Sequence, residues 1–202
     1  MAAHAVLSAS GAHRWLECTP SARLEENFED KPSISAREGT LAHAIAEAKI
    51  KNMFIEPLPK RSFNKILKGF TEQELYQKEM NTLTDEYTEY IREIMLLYPQ
   101  KPYIAAEVKL NLDRYIPGGF GTADCVIIAV NDLHIVDLKY GKSTAVKAKD
   151  NPQLKLYALG VVSEYELFYD IQNVHMHIFQ PRNADGGGIY GLSVQDLKAW
   201  AE

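Results

Sequence analysis

The sequence lacks the features of several classes of protein. Its 202 residues include only two cysteines, Cys18 and Cys125, which cannot form a disulfide framework or a four-cysteine metal site. The longest wholly apolar run extends only from Cys125 to Val130, far short of a membrane span. The N-terminus has neither the charged head nor the apolar stretch of a signal peptide. We therefore expect a cytoplasmic protein with no membrane partner.

An excess of positive charge is also missing. Lysine and arginine total 22 against 27 aspartate and glutamate residues, which gives a formal net charge of −5. This balance excludes a basic protein that coats nucleic acid, so any binding of phosphates requires a local patch supported by a metal ion. Hydrophobic residues make up 46% of the chain and charged residues 24%, which is ordinary for one globular domain with a substantial core.

The N-terminal half, residues 1–100, reads as mainly helical. Ser35 and Glu38 fit a capping box, which predicts a helix that begins after Ser35 and runs to about Asn52. A second helix is predicted over about 85–98, where apolar residues recur at helical spacing. The segment 54–69 between them contains prolines and lysines and is predicted to be irregular.

Strands are predicted over residues 103–180. Residues 107–112 alternate between apolar and polar, and residues 120–130 and 133–139 flank a candidate turn at Asn131-Asp132. The other expected elements are a helix over about 151–160, a strand over 174–180 and a last helix capped by Ser193. This order predicts a single α/β domain over 1–202, with a mixed central β-sheet flanked by helices. The last helix is still helical in sequence at Glu202, which leaves open that the chain is part of a longer protein.

Two carboxylates and a lysine stand out in the expected hairpin. Asp137 and Lys139 are two residues apart on one strand, so their side chains lie on the same face of the sheet. A turn at Asn131-Asp132 places Asp124 opposite Lys139, on that face. Asp124 and Asp137 are then diagonal neighbours with Cβ atoms roughly 7–8 Å apart. Two carboxylates at this spacing can hold one hard cation through their oxygens.

An ion pair between Asp137 and Lys139 on a strand surface is the alternative interpretation. It is disfavoured because unpaired carboxylates on an interior strand are costly to desolvate. The lysine also stands where the hydrolysis of a phosphodiester needs one, beside the metal and a phosphoryl oxygen.

Two other patterns point to no site. Gly141-Lys142-Ser143 ends like a phosphate-binding P-loop, but Val136 stands where that motif requires glycine. His175 and His177 share one strand face, as expected for a surface pair on a strand.

The pattern Asp124, a turn and then Asp137-Leu138-Lys139 resembles the Asp…(Asp/Glu)-x-Lys signature of the PD-(D/E)XK nucleases. It is similar more narrowly to their RecB-type exonuclease branch, which includes phage-encoded and CRISPR-associated nucleases. Three further segments resemble motifs of that branch, in the same order along the chain: Leu7 to Ser10 followed by Cys18, Gly39 to His43 (Gly-x-x-x-His), and Gln153 to Tyr157 (Gln-x-x-x-Tyr). The resemblance spans residues 7 to about 160 and implies a restriction-endonuclease-like core with a helical N-terminal part.

The resemblance implies a metal site. His43, Asp124 and Asp137 would bind the ion, with the carbonyl of Leu138 as a further ligand. Oxygen ligands with one imidazole favour Mg²⁺ or Mn²⁺. No iron–sulfur cluster is expected, because some relatives hold one with an N-terminal and three C-terminal cysteines, and only Cys18 has a counterpart here.

The resemblance also assigns catalytic roles. Lys139 would orient or activate the attacking water and stabilise charge at the phosphorus. Gln153 and Tyr157 are one helical turn apart and would contact the phosphate or Lys139.

Several residues around this core are weaker candidates. Glu47 would support the ring of His43 one turn away, and Glu107 would add a direct or water-mediated metal contact, although an exposed strand glutamate is an equal alternative. Contacts with the DNA backbone are expected from a set of polar residues, for which a solvated surface is the alternative: Arg37, Thr40, Lys142, Lys147 and Lys149.

The expected function is hydrolysis of DNA phosphodiester bonds, from DNA ends, in recombination, repair or phage DNA processing. End dependence is expected because no element looks like a module for reading base edges. A catalytically silent DNA-binding module of the same fold, a sequence-specific endonuclease and a metal-binding structural protein remain open. So do a homo-oligomer and a recombination partner protein.

Overall fold

A mixed β-sheet forms the centre of the computed structural model, which describes residues 6–25, 27–28 and 31–202. The strands lie side by side in chain order: β1 (Tyr103–Asn111), β2 (Phe120–Ala129), β3 (Asp132–Leu138), β4 (Asn173–Phe179) and β5 (Gly188–Ser193). β3 and β4 are parallel, whereas the other neighbours are antiparallel. Together with the helices this confirms the predicted fold class, α/β with a mixed central sheet.

Seven α-helices flank the sheet in the described part of the chain. They are α1 (Ala12–Trp15), α2 (Ser21–Glu25), α3 (Ile34–Ile50), α4 (Lys60–Thr71), α5 (Lys78–Leu96), α6 (Pro152–Tyr165) and α7 (Val194–Ala201). A 3₁₀ turn (Ala9–Gly11) precedes α1, and a π-helical turn (Lys51–Ile55) follows α3. Among the described residues, no helix has the length and apolar character needed to cross a bilayer.

Helices cover both faces of the sheet. On one face α6 packs on β2, β3 and β4, and on the other α3 and α5 pack on β1, β2 and β3. Val126 and Ile127 are neighbours on β2 and are both fully buried, one in each layer. Burial of a side chain of this size contributes about 1.5–3 kcal/mol relative to exposure. The apolar run 125–130 therefore belongs to an interior strand, as predicted.

Three helix boundaries differ from the sequence prediction, one of them the end of α6, which lies at Tyr165 and not at about 160. Ser33, and not Ser35, caps α3, because the Ser33 hydroxyl accepts a hydrogen bond from the amide of Ala36. The second long helix begins at Lys78, seven residues before the predicted start at 85, and its first turns bury Met80 and Thr84. By contrast, Asn151 caps α6 and Ser193 caps α7 through their side chains, the latter as predicted.

The prediction of an irregular segment over 54–69 is wrong, because α4 occupies Lys60–Thr71. Its prolines, Pro57 and Pro59, precede the helix, where they do not interrupt the hydrogen-bond ladder. None of the residues of α4 is buried. The helix therefore lies on the surface of the domain and adds little to the core.

The hairpin between β2 and β3 has the predicted two-residue turn in a shifted position. Ala129 pairs with Asp132, so the turn is Val130-Asn131 and not Asn131-Asp132. Asp124 therefore lies opposite Asp137, and not opposite Lys139, since Cys125 pairs with Val136. A shift of two residues leaves every side chain on the same face, which is why the predicted grouping of the side chains survives the wrong register.

Candidate metal centre

Three carboxylates form a row across three adjacent strands. Asp124 on β2 lies between Asp137 on β3 and Glu107 on β1. Ala106 pairs with Cys125 and Val108 pairs with Ala123, so Glu107 lies opposite Asp124. Glu107 was predicted as a supporting residue, and the structure places it beside Asp124.

The backbone of Glu107 has a left-handed conformation, with φ of 51°. Such a conformation costs a non-glycine residue of order 1–3 kcal/mol and is concentrated at functional sites. It reverses the alternation of faces along β1: Ala106 packs in the layer of α5, whereas Val108 packs in the layer of α6. Glu107 thus stands at a distortion of β1, directly beside the row of acids.

Asp124 is held by two contacts. Its Oδ2 accepts a 2.7 Å hydrogen bond from the backbone amide of Leu138, and its Oδ1 lies 3.2 Å from Nδ1 of His43 on α3. His43, Glu107 and Asp124 each offer one ligand atom, and these atoms all lie within 4.8 Å of one another. The structure thus brings together residues that are 81 positions apart in the chain, from His43 to Asp124. That the Leu138 carbonyl is a ligand stays a prediction.

Burial and mutual charge shift the pKa values in this row. Burial lowers the pKa of His43, but the adjacent Asp124 carboxylate outweighs it and raises that pKa to about 9. Burial, with the charge of Asp124, raises the pKa of Glu107 to about 7. Burial also raises the pKa of Asp137 to about 6, although the Lys139 ammonium opposes this. At neutral pH the His43 imidazole therefore pairs with Asp124 in its charged form, and a metal ion that takes this ring as a ligand must displace the proton.

A chain of polar contacts extends from Asp137 to α6. Lys139 Nζ lies 2.8 Å from Oδ2 of Asp137 and donates a 3.1 Å hydrogen bond to Oε1 of Gln153. Gln153 Nε2 in turn donates a 2.8 Å hydrogen bond to the Tyr157 hydroxyl. The crossover from β3 to β4 through α6 brings these residues together, because the first turn of α6 lies beside the end of β3. The four residues are thus grouped as the sequence predicts.

Gly121 is a site residue that the sequence analysis did not single out. A Cβ atom there would lie 2.7 Å from Cε1 of Tyr157, and only glycine lets this ring approach β2 so closely. The signal in the sequence was an isolated glycine inside a strand pattern, three residues before Asp124.

Glu47 pairs with a lysine of its own helix, and its support of the His43 ring stays a prediction. Its Oε1 lies 2.6 Å from Nζ of Lys51, one turn further along α3. The two residues are four positions apart on one helix face and form an i,i+4 ion pair.

The predicted DNA contacts fall into two groups. Lys142, Lys147 and Lys149 are exposed in the segment that joins β3 to α6, beyond Lys139. Arg37 and Thr40 lie on α3 before His43 and line a depression of about 370 Å³, although the Thr40 hydroxyl donates to the Ala36 carbonyl. The first group follows Lys139 along the chain and the second precedes His43 on α3, and their contact with DNA stays a prediction.

Gln180, another residue missed from the sequence, holds the first of these segments. Its buried side chain accepts a hydrogen bond from the amide of Val146 and donates to the carbonyls of Gly141 and Thr144, each at 2.8 Å. The position of Lys142 therefore depends on a residue at the end of β4.

The histidines predicted as a surface pair belong to a polar cluster. His177 is only 3% exposed, because α5 covers this face of the sheet, so the prediction is wrong for it. Its Nε2 lies 3.0 Å from Nδ1 of His134, which is equally buried. His175 stacks on His134 with ring centroids 4.7 Å apart, and its Nε2 lies 3.5 Å from Oδ1 of Asp132.

Comparison with known proteins identifies a family but no activity. A family model described as "Protein of unknown function (DUF2800)" matches residues 4–202. A solved structure titled "Crystal structure of SSO0001" is 12% identical, with a TM-score of 0.31, over 94% of this chain and 84% of that chain. Similarity at this level supports no conclusion about fold or function.

Proposed function

Since this chain belongs to the DUF2800 family, whose function is unknown, its activity must be inferred from its own site, and we propose that it is a divalent-metal-dependent DNA nuclease. One observation supports this most strongly. A row of three carboxylates is flanked by an imidazole on one side and by a lysine–glutamine–tyrosine chain on the other. This arrangement places a candidate cation site beside the fixed ammonium of Lys139. Hydrolysis of a phosphodiester requires both, to activate the attacking water and to stabilise negative charge at the phosphorus.

The donor set fits a hard divalent cation. His43, Glu107 and Asp124 offer ligand atoms within one small volume, and Asp137 lies next to Asp124 in the row. Two or three carboxylates with one imidazole suit Mg²⁺ or Mn²⁺, and the imidazole favours Mn²⁺. Such an ion, when bound, lowers the pKa of a water molecule and polarises a phosphoryl oxygen.

The residues of the chain would divide the remaining work. Lys139 stays charged, because Asp137 raises its pKa against the effect of burial. Its ammonium, fixed by Gln153, is placed to orient the attacking water and to stabilise negative charge at the phosphorus. Tyr157 fixes Gln153 in turn, so these two residues act through Lys139 or through a direct contact with the phosphate.

The sequence resemblance to the RecB-type PD-(D/E)XK nucleases supports the same proposal. The residues of three of its four motifs lie around one centre, on α3, on β2, in or directly after β3, and on α6. The N-terminal motif, Leu7 to Ser10 followed by Cys18, lies in the segment of the 3₁₀ turn and α1. On this basis we further propose a restriction-endonuclease-like core and action from DNA ends, in recombination, repair or phage DNA processing.

A test compares linear and covalently closed circular duplex DNA in Mg²⁺ or Mn²⁺, with a chelator as control. We expect progressive degradation of the linear DNA, survival of the circles, and no cleavage with the chelator. Equal rates on both substrates, or a discrete set of fragments, would indicate an endonuclease. DNA binding without cleavage in either metal would show a silent module and contradict the proposed enzyme.

A further inference from the structure

Helix α4 has one basic face and one apolar face. At 100° per residue, its four cations lie within an arc of about 140°, and its four large apolar side chains lie within an arc of about 100° on the other side. The cations are Lys60, Arg61, Lys65 and Lys68, and the apolar residues are Phe63, Ile66, Leu67 and Phe70.

The basic face is not neutralised by the protein. No acidic residue occurs from 57 to 71, in a chain whose net charge is −5. Lys60, Arg61 and Lys65 make no ion pair with any residue that the structure describes. Lys68 contacts only Glu72, at 3.6 Å between two largely exposed side chains. An exposed pair of this kind contributes little, so the whole face is available to an anion.

The apolar face attaches α4 beside the metal centre. Phe70 packs against the buried cluster that includes Leu41 and Ala42 of α3, and Ile66 and Phe70 line a cleft with Ala44. These positions on α3 adjoin His43. Since packed helices lie about 8–10 Å apart, α4 is one helix spacing from the site.

Charge of the opposite sign lies at one edge of the apolar face of α4. The groove under Phe63 and Leu67 is lined by acidic side chains of α5, namely Asp85, Glu86, Glu89 and Glu93. The groove therefore repels a polyanion, and the exposed basic face is the attractive surface of α4.

We propose that the basic face of α4 binds the phosphate backbone of DNA next to the metal centre. The identity of the polyanion rests on the proposed nuclease function. From Lys60 to Lys68 the helix rises about 12 Å, and a duplex presents about seven phosphates over that length. A small anion would reach only one or two of the cations, whereas a nucleic acid reaches them all.

The test measures fluorescence anisotropy of a labelled linear duplex in EDTA, so that binding is separated from cleavage. The test variant is Arg61→Gln/Lys65→Gln. The control, Arg114→Gln/Lys198→Gln, removes the same charges. Both control residues pair with Glu166 at the C-terminal end of α6, away from the Gln153 end. Thermal unfolding checks that both variants are folded, and cleavage by the wild type in Mn²⁺ is scored in parallel.

We expect the test variant to bind the duplex at least about tenfold more weakly than the wild type. The slope of log K against log salt concentration should fall by the equivalent of about two phosphate contacts. The control should bind within about twofold of the wild type. Equal binding by the test variant and the wild type would overturn the inference, and cleavage by the wild type would still support the proposed function. Weakened binding in the test variant with no cleavage by the wild type would support the α4 contact and reject the nuclease. Equal weakening in both variants, or no binding by the wild type, would also overturn the inference.

Discussion

At the scale of single residues, His43 is the one ligand candidate outside the sheet among the residues that the structure describes. Its imidazole contacts Asp124 and lies within the same small volume as Glu107. The ring is therefore placed to complete an otherwise all-oxygen site, and its contribution can be separated from that of the carboxylates.

We expect His43→Ala to weaken Mn²⁺ binding by about tenfold or more, since even the partners that support a ligand contribute 10–100-fold to metal affinity. Isothermal titration calorimetry with the metal alone measures this. His13→Ala, which removes an exposed imidazole of α1, is the control and should bind Mn²⁺ like the wild type. Unchanged affinity in His43→Ala would remove His43 from the site.

At the scale of elements, a chain of hydrogen bonds joins α5 to β3 and β4. Tyr98 donates its single hydroxyl proton to Asp132, so Nε2 of His134 must be the donor in its 2.6 Å contact with the Tyr98 oxygen. A neutral His134 then accepts at Nδ1 from Nε2–H of His177, whose own Nδ1 accepts from the Tyr90 hydroxyl. Both rings therefore have the Nε2–H tautomer and must stay neutral.

The cluster predicts a loss of stability in acid. Burial, with the charge of His175, lowers the pKa of His134 to about 4; burial, with the charges of His134 and His175, lowers that of His177 to about 3. Below the unfolded value of 6.5 the unfolded chain then binds more protons than the folded chain. The contribution of the pair is complete above pH 6.5 and is lost as the pH falls from 6.5 toward 3.

Denaturant unfolding at pH 7 and pH 5 tests this in the wild type and in His134→Gln/His177→Gln, whose amides still donate and accept. The wild type should lose more free energy of unfolding than the variant between the two pH values. The raised pKa values of Glu107 and Asp137 act in the opposite direction but are common to both proteins. An identical loss in both proteins, or Nδ1–H tautomers by nitrogen-15 NMR, would contradict the hydrogen-bond chain.

The elements that the sequence predicts well are those whose pattern follows from burial. The apolar run of β2 and the alternation around Asp137 specify buried strands and a common face, so the central grouping is readable despite the shifted turn. Helix α4 could not be predicted in this way, because none of its residues is buried and the prolines before it suggested a loop. The left-handed Glu107 and the loop contacts of Gln180 depend on tertiary packing, which a local pattern does not record.

At the scale of the whole molecule, the candidate metal centre combines residues of the sheet with residues from the helices on both of its faces. α3 brings His43 from one layer, α6 brings Gln153 from the other, and the sheet between them fixes the carboxylates. The chain continues from Lys139 into a segment with the exposed Lys142, Lys147 and Lys149, and α4 packs on α3, which carries His43.

The central claim is that Asp124, Asp137 and Lys139 act as one hydrolytic unit. Its most direct test is the single-turnover cleavage rate of an end-labelled linear duplex in Mn²⁺, for the wild type and for Asp124→Asn, Asp137→Asn and Lys139→Ala. The account predicts cleavage by the wild type and a loss of orders of magnitude in each variant, because removing one member of a unit costs nearly as much as removing all. Wild-type rates in any one of the three folded variants would contradict it.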